Sequence, residues 1–390
     1  MSAVTVDRSG RSGRGRLGRL LESARTPQPR TVDFKALWFV IVVANVFGLL
    51  MILSASSVSS LYSSGSPFSQ FLKQAIWSAM GFVALFAMSR YPYQSISKWM
   101  RLGLIVAGGM MIAVLVPGVG VNVNGASRWI GVGDLRIQPS ELAKFAVILY
   151  VADTLARRAT HVRDWKVSIR PVLVVFGAFA ILLMLQPNLG TTIILATIVL
   201  VMLFVAGAPL RPLAVVTGSF IAGAAFFAFA EPYRYRRLMA FMDPWADPLN
   251  TGMQTIQSQV GFANGGLLGM GPGQGRAKWG FLPEAHTDFI YAIIGEEIGL
   301  LGSLAVIAIV LAFAFFGVRT ALRAPDRFGM LLATGITTWV VIQAFINIGA
   351  CVGVLPITGV PLPFISAGGS SLTVTMLASG VLLNIARQER

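Results

Sequence analysis

FLPEAHTDFIYAIIGEEIGL, residues 281–300, joins an apolar run long enough to enter a membrane to side chains that hydrocarbon should exclude. Ionisable groups at such depth face the interior of a helix bundle or a water-filled cavity, and they mark functional sites. Here they stand at the start of the run and again inside it, as Glu284, His286, Asp288, Glu296 and Glu297. These residues are the first candidates for chemistry.

The composition is that of an integral membrane protein. Of the 390 residues, 55% are hydrophobic and 12% are charged, and the mean hydropathy is +0.73. A chain of this composition is too apolar to be an ordinary soluble domain. The formal net charge of +15 favours contact with anionic membrane lipids and control of topology, and nothing in the pattern favours nucleic acid as a partner.

Cysteine and histidine usage disfavours a transition-metal enzyme. Cys351 is the only cysteine, so no internal disulfide can form, and the two histidines, His161 and His286, do not have metal-site spacing. The glycine-rich stretch 269–278 lacks the Gly-Lys-Ser/Thr ending of a nucleotide-binding loop. We therefore predict no cofactor of these classes.

Ten apolar segments are long enough to span about 30 Å of hydrocarbon. The sequence therefore predicts an all-α polytopic protein with ten transmembrane helices. Gln186-Pro187-Asn188 is either a tight turn between two of them or a break in one long helix. The segments are approximately 36–57, 71–89, 102–117, 140–156, 171–186, 189–206, 212–230, 288–317, 329–351 and 369–386.

Positive charge predicts the orientation and the domain organisation. Most Lys and Arg residues fall on one side if both termini are cytoplasmic. Residues 36–386 then form the membrane domain, with a large extracellular loop at 231–287 between the seventh and eighth helices and a short cytoplasmic tail at 387–390. Residues 1–35 are basic and poor in large apolar groups, which predicts a disordered cytoplasmic tail. That tail either lies near acidic lipid or docks a partner.

The 231–287 loop is a candidate binding surface. It opens with an aromatic and basic stretch from Pro232 to Asp243 that suits an interfacial helix. Glycine-rich turns follow, and long ordered loops are usually functional. A cationic outer surface would suit an anionic ligand such as a lipid phosphate.

A second cluster comprises NGASRWI (124–130) and QPSELAK (138–144). Ser140 is predicted to cap a helix, with Pro139 just before it. Glu141 and Lys144 share a helical face, so they either neutralise each other or take part in function. Trp129 is either an interfacial anchor or a platform for substrate.

A third cluster is the uncharged segment 355–371, LPITGVPLPFISAGGSS. Its prolines break any helix, and irregular backbone at membrane depth is tolerated where it lines a cavity or is buried in protein. We expect a re-entrant segment beside Asp288. A partly desolvated carboxylate there can act as a general base for a hydroxyl, although Thr287 or Asp288 could instead cap the eighth helix. Glu296 and Glu297 are predicted to make polar contacts between helices.

Five ordered motifs together resemble the shape, elongation, division and sporulation (SEDS) family of FtsW, RodA and SpoVE. They are NGASRWI, QPSELAK, QPNLGT (186–191), PEAHTDFIYAIIGEEIG (283–299) and the 355–371 segment. The resemblance extends over nearly all of 36–386. The sequences at 284–286, 294–297 and 364–369 and the basic tail are most similar to the cell-division member, FtsW.

The resemblance implies an inverting peptidoglycan glycosyltransferase that polymerises lipid II on the outer face of the bacterial cytoplasmic membrane, at the division septum. Undecaprenyl pyrophosphate would be the leaving group. The resemblance leaves open whether a divalent cation binds near it. The implied partners are a class B penicillin-binding protein, which is a transpeptidase, and other division proteins. Asp288 matches the essential aspartate, and the implied substrate-binding positions are Arg128, Trp129, Glu141, Lys144, His286, Thr287, Ser366, Gly368, Gly369 and Ser370.

The chain departs from the family pattern at two positions, and two alternative functions remain. Asn188 stands where the family commonly has Asp, which weakens the case for a second essential carboxylate, and Ala367 replaces a frequent Tyr. A lipid II flippase would use the same polar and cationic cavity without chemistry. A non-catalytic division scaffold would fit the basic tail but would leave the Asp288 cluster without a role.

Overall fold

The computed structural model describes residues 31–389 except 124–125, 133–134 and 231. The described chain is mainly helical, with one small sheet. Its helices are α1 (Val32–Ser64), α2 (Ser69–Arg90), α3 (Tyr93–Ile96), α4 (Met100–Leu115), α5 (Pro139–Arg157), α6 (Arg170–Leu185), α7 (Leu189–Ala206), α8 (Leu210–Ala230), α9 (Pro232–Met242), α10 (Met253–Gly265), α11 (Ile290–Leu322), α12 (Arg327–Cys351) and α13 (Gly369–Arg387). Its strands are β1 (Gly120–Val123), β2 (Ala126–Val132) and β3 (Leu135–Ile137).

All ten predicted membrane segments are helices. Nine helical stretches in the described part of the chain are long and apolar enough to cross a membrane. The remaining predicted segment is α5, which has 19 residues and carries more charge than such a span usually holds. The link at Gln186–Asn188 is a turn, because α6 ends at Leu185 and α7 begins at Leu189.

The prediction that residues 1–35 form a disordered tail is wrong for residues 31–35. Helix α1 begins at Val32, capped by Thr31, whose hydroxyl accepts from the Phe34 N–H and donates to the Ala386 carbonyl at 2.6 Å. Residues 31–35 are thus ordered because a polar cap and the last helix hold them. The rest of the predicted tail, 1–30, lies outside the described residues, as does Arg390.

The all-α prediction missed a three-stranded antiparallel sheet, in the order β1-β2-β3. Its strands are short, and they lie between α4 and α5. Alternation over so few residues is a weak signal beside long apolar runs. The sheet carries the NGASRWI motif, of which residues 124–125 lie outside the described chain.

Helices α13, α5, α12 and α7 are the most buried, whereas α8 lies at the surface of the bundle. α5 is also central, with most of its residues buried. Trp339 of α12 is completely buried among these helices. The polar groups of the centre therefore need protein partners, because water and lipid headgroups do not reach them.

Helix α11 is broken at Gly299, whose φ of 75° and ψ of −160° fall outside the helical region. The loop that follows α10 supplies the backbone partners that the break removes. The N–H groups of Met270 and Gly271 donate to the carbonyls of Glu296 and Glu297, and the N–H groups of Leu300 and Leu301 donate to those of Gly266 and Leu267. The loop thus replaces helical hydrogen bonds inside the bundle.

Two buried carboxylates hold the same loop, and one of them, Glu297, also makes the predicted polar contact with a second helix. Glu296 accepts from the N–H groups of Arg276 and Ala277, at 2.9 and 3.1 Å. Glu297 pairs with buried Lys278, whose Nζ lies 3.0 Å from Oε1. Glu297 also accepts from the Ser54 hydroxyl of α1 and from the Gly273 N–H. We call Glu296, Glu297 and Lys278 the clamp.

Gly299→Ala is expected to destabilise the protein by at least about 3 kcal/mol. An alanine would adopt a backbone conformation that is essentially restricted to glycine, and its Cβ would lie 2.7 Å from the Leu267 carbonyl group. Thermal unfolding in detergent measures the loss. Gly109→Ala in α4 is the control, since an added Cβ meets nothing within 4 Å there, and equal effects of the two substitutions would contradict the prediction.

Lys278→Met is expected to cost about 3–5 kcal/mol of unfolding free energy, because it leaves the Glu297 carboxylate buried without its cation. The double variant Lys278→Met/Glu297→Gln should recover most of this loss. Arg157→Met removes an ion pair with Asp153 in which the arginine side chain is 69% exposed, and it should cost less than about 1 kcal/mol. Similar losses for Lys278→Met and Arg157→Met would contradict a structural role for the clamp.

Candidate functional site

Asp288 lies in a turn just before α11, and the predicted cap is wrong. The N-cap residue is Phe289, with no side-chain cap, so neither Thr287 nor Asp288 has that role. The physical reason is that Thr287, Asp288 and Phe289 belong to a backbone turn whose N–H groups donate to the Glu284 carbonyl, so the helix begins only after them. The Asp288 side chain therefore does not cap the start of α11.

The Asp288 carboxylate is shielded by protein although part of the residue reaches solvent. Burial raises its pKa to about 7, and the negative charge of Glu284 adds to the rise. The positive charges of Arg237 and Arg128 act in the opposite direction. No hydrogen bond from the described part of the chain reaches this carboxylate. It can thus exchange a proton near neutral pH.

The 355–371 segment lies directly beside Asp288, as predicted. A Cβ added at Gly359, where φ is 70°, would lie 3.5 Å from Asp288 Oδ2. The Ala367 N–H donates to the His286 carbonyl at 3.0 Å. The segment and the turn that carries Asp288 therefore form one wall of the site.

His286 and Thr287 flank Asp288. Burial lowers the pKa of His286, against the attraction of Glu284, so the imidazole is neutral at pH 7. The Thr287 hydroxyl contacts the Glu284 carboxylate at 2.9 Å. Both residues thus lie at the predicted site, and their contact with substrate stays a prediction.

Arg128 and Arg237 bring positive charge to the site. Arg128 of β2 donates to the carbonyls of Gln186 and Pro187, at 3.1 and 2.6 Å. Arg237 of α9 donates to the Ile357 carbonyl at 3.3 Å. Trp129 follows Arg128 in β2, where the pairing with β1 is irregular, and its contact with substrate stays a prediction. The structure thus brings the charge of Arg128 close to Asp288.

Glu141 and Lys144 form a completely buried ion pair in α5, with 2.9 Å between Oε1 and Nζ. Lys144 also contacts Gln343 at 2.8 Å and lies over the Trp339 ring, and Glu141 accepts from the Ser371 hydroxyl. The predicted pairing is confirmed. The predicted Ser140 cap is wrong, because α5 begins earlier, with Pro139 as its first residue and Gln138 as its N-cap.

The serines and glycines of the 355–371 segment make packing contacts. The Ser366 hydroxyl accepts from the Leu362 N–H, and the Ser370 hydroxyl accepts from the Gln138 N–H. Gly369 lies against the Trp77 ring, which leaves no room for a Cβ, and Gly368 precedes α13. Their predicted contact with substrate is not tested by these bonds.

A divalent cation would need ligands beyond those that the described residues supply. Among the described residues, no group of three or more His, Cys, Asp or Glu side chains could hold a metal ion. Asp288 and Glu284 alone do not form the oxygen cage that Mg²⁺ or Ca²⁺ requires. A cation next to a substrate phosphate stays a prediction.

Sequence reasoning missed the contributions of Gln343 and Asn347. Asn347 donates to the Asp288 carbonyl at 2.7 Å. Gln343 and Asn347 are one turn apart in an apolar span, and that spacing was a readable signal. Arg237 lies in the basic stretch that the sequence marks as a candidate binding surface, but its position near Asp288 was not predicted, because it depends on the tertiary fold.

Comparison with known proteins agrees with this architecture. The model of the cell cycle protein family of FtsW, RodA and SpoVE matches residues 34–390. The stage V sporulation protein E of Bacillus subtilis is 40% identical over 344 residues, 88% of this chain and 94% of that protein. A probable peptidoglycan glycosyltransferase FtsW of Geobacter metallireducens is 40% identical over 352 residues, 88% of this chain and 92% of that protein.

Solved structures share the fold. One is a chain of a peptidoglycan synthase complex studied for its coordination of polymerization and crosslinking, with a TM-score of 0.75, 26% identity and coverage of 90% of this chain and 97% of that chain. Another is the rod shape determining protein RodA of Thermus thermophilus, with a TM-score of 0.67, 24% identity and coverage of 90% and 96%. The chain is an integral membrane protein and belongs to the FtsW, RodA and SpoVE family.

Proposed function

We propose that this chain is a peptidoglycan glycosyltransferase that polymerises lipid II into glycan strands at the outer face of the inner membrane. Relatives that are 40% identical carry this activity in their names. The observation that carries the proposal is the Asp288 carboxylate, shielded, without a hydrogen bond from the described chain and with a pKa of about 7. A carboxylate in that state suits a general base.

The reaction that the family resemblance implies would use the carboxylate of Asp288 and the positive charges near it. The carboxylate takes the proton of an acceptor-sugar hydroxyl, whose oxygen attacks the anomeric carbon of the donor sugar. The bond from that carbon to the pyrophosphate breaks, and undecaprenyl pyrophosphate leaves with the bonding electrons. The configuration at the carbon inverts. Arg128 and Arg237 supply positive charge near Asp288 that would stabilise the leaving pyrophosphate.

The finer assignments belong to the same proposal. The partner is a class B penicillin-binding protein, which would crosslink the new strand, and the fold shared with a peptidoglycan synthase complex supports this. The place of action is the division septum, supported by relatives named FtsW. The substrate contacts are the positions implied by the family motifs, with Asp288 as the base.

Asp288→Asn is expected to reduce polymerisation at least about 100-fold, because the amide keeps the shape of the side chain but cannot accept the proton. The assay measures glycan strands made from lipid II by purified protein together with its transpeptidase. Asp247→Asn, at a partly exposed aspartate in the same loop, is the control and should retain activity.

Three results would contradict the proposal. Normal synthesis by a folded Asp288→Asn protein would exclude the base assignment. Movement of labelled lipid II across proteoliposomes without polymer would favour a flippase. Normal division of an Asp288→Asn strain would favour a scaffold.

The polymerisation rate is expected to rise with pH through about 7, because only the ionised Asp288 can accept a proton. Glu284→Gln removes a negative charge that raises the pKa of Asp288, so it should shift this limb to lower pH. A rate profile from pH 5 to 9 measures both effects. A limb that stays in place in Glu284→Gln would show that Asp288 does not set it.

A further inference from the structure

One face of α12 carries a stripe of buried polar side chains. Gln343, Asn347 and Cys351 follow one another at intervals of one helical turn, and each is at most 2% exposed. Polar groups inside a membrane bundle are costly unless they are satisfied by partners. The partners of this stripe are all parts of the candidate site or lie next to it.

Gln343 joins the buried ion pair to the 355–371 segment. Its Oε1 accepts from Lys144 and from the Trp339 indole, each at 2.8 Å. Its Nε2 donates to the Pro361 carbonyl at 2.9 Å. The two ends of one amide thus fix the segment relative to α5.

Asn347 joins the same segment to the turn of Asp288. Its Nδ2 donates to the Asp288 carbonyl at 2.7 Å and to the Val360 carbonyl at 2.8 Å. Both hydrogens of the amide are used in this way. The thiol of Cys351, a weaker donor, lies 3.4 Å from the Asp288 carbonyl.

We propose that Asn347 is a positioning residue for the reaction, which holds the main chain of Asp288 at a fixed distance from the 355–371 segment. Asp288 lies outside the helix, in a turn without a side-chain cap, so this bond to rigid α12 fixes where its carboxylate stands. Misplacing a reacting group by about 1 Å can cost about 100-fold in rate. The inference rests on the proposed function, because polymerisation is its readout.

The test compares Asn347 with a buried asparagine that is far from the site. Asn384 of α13 is 3% exposed and joins separate elements, donating to the Ser89 carbonyl at 2.8 Å and accepting from the Tyr93 N–H. The variants are Asn347→Leu, Asn347→Ser, Asn384→Leu and Asn384→Ser. Each is purified with the partner transpeptidase, its Tm is measured, and kcat and KM for lipid II are determined per folded molecule.

We expect kcat to fall about 100-fold in Asn347→Leu and about tenfold in Asn347→Ser, which keeps one donor for two carbonyls. KM should stay within about twofold in both. The Asn384 variants should lose comparable Tm but retain kcat. If Asn347→Leu does not fold, the comparison of Asn347→Ser with Asn384→Ser decides the matter.

Two outcomes would overturn the inference. Equal kcat per folded molecule in the Asn347 and Asn384 variants would leave Asn347 with a stabilising role alone. A rise in KM with unchanged kcat would make it a substrate-binding residue. If the wild-type protein itself makes no polymer, the proposed function fails first, and the two failures are thereby distinguished.

Discussion

The need to pair charge inside an apolar bundle determines how the part of this protein around Asp288 is built. Glu297 is completely buried in the membrane helix α11, where an unpaired carboxylate would be very unfavourable. Its cation, Lys278, comes from the loop between α10 and α11, so the loop must fold back into the bundle. Once there, the loop also takes over the backbone bonds that α11 loses at Gly299. The clamp therefore fixes the start of the chain that leads, ten residues after Lys278, to Asp288.

The carboxylates near the site differ in how they are satisfied, and this difference separates structure from chemistry. Both oxygens of Glu141, Glu296 and Glu297 accept hydrogen bonds or contact a cation. Asp288 has no such partner among the described residues. A saturated carboxylate is held in place by its partners, whereas an unsatisfied one with a raised pKa can take up and release a proton. Of these four residues, Asp288 is the one whose surroundings suit a base.

The sequence predicted the parts of this arrangement that depend on composition and charge. The ten helices follow from the length of the apolar segments. The proximity of Asp288 to the 355–371 segment follows from two features that a membrane bundle must shield from lipid, a carboxylate and a stretch of irregular backbone. The helix starts did not follow, because the caps at Phe289 and Gln138 depend on backbone turns formed earlier in the chain. The break at Gly299 was also invisible, since glycine is common in membrane helices and only the incoming loop makes it necessary.

The 355–371 segment shows how an irregular backbone can be rigid within a membrane bundle. Its carbonyl oxygens are satisfied by neutral amide side chains from three separate helices: Asn45 of α1 at Phe364, Gln74 of α2 at Ser366, and Gln343 and Asn347 of α12 at Pro361 and Val360. Backbone groups without such partners would require water at this depth. Because these donors are uncharged, they fix the geometry beside Asp288 and leave the net positive charge that Arg128 and Arg237 supply there unchanged. Position and charge at the site are thus set by different residues, which is why substitution of Asn347 and of Glu284 should alter different kinetic quantities.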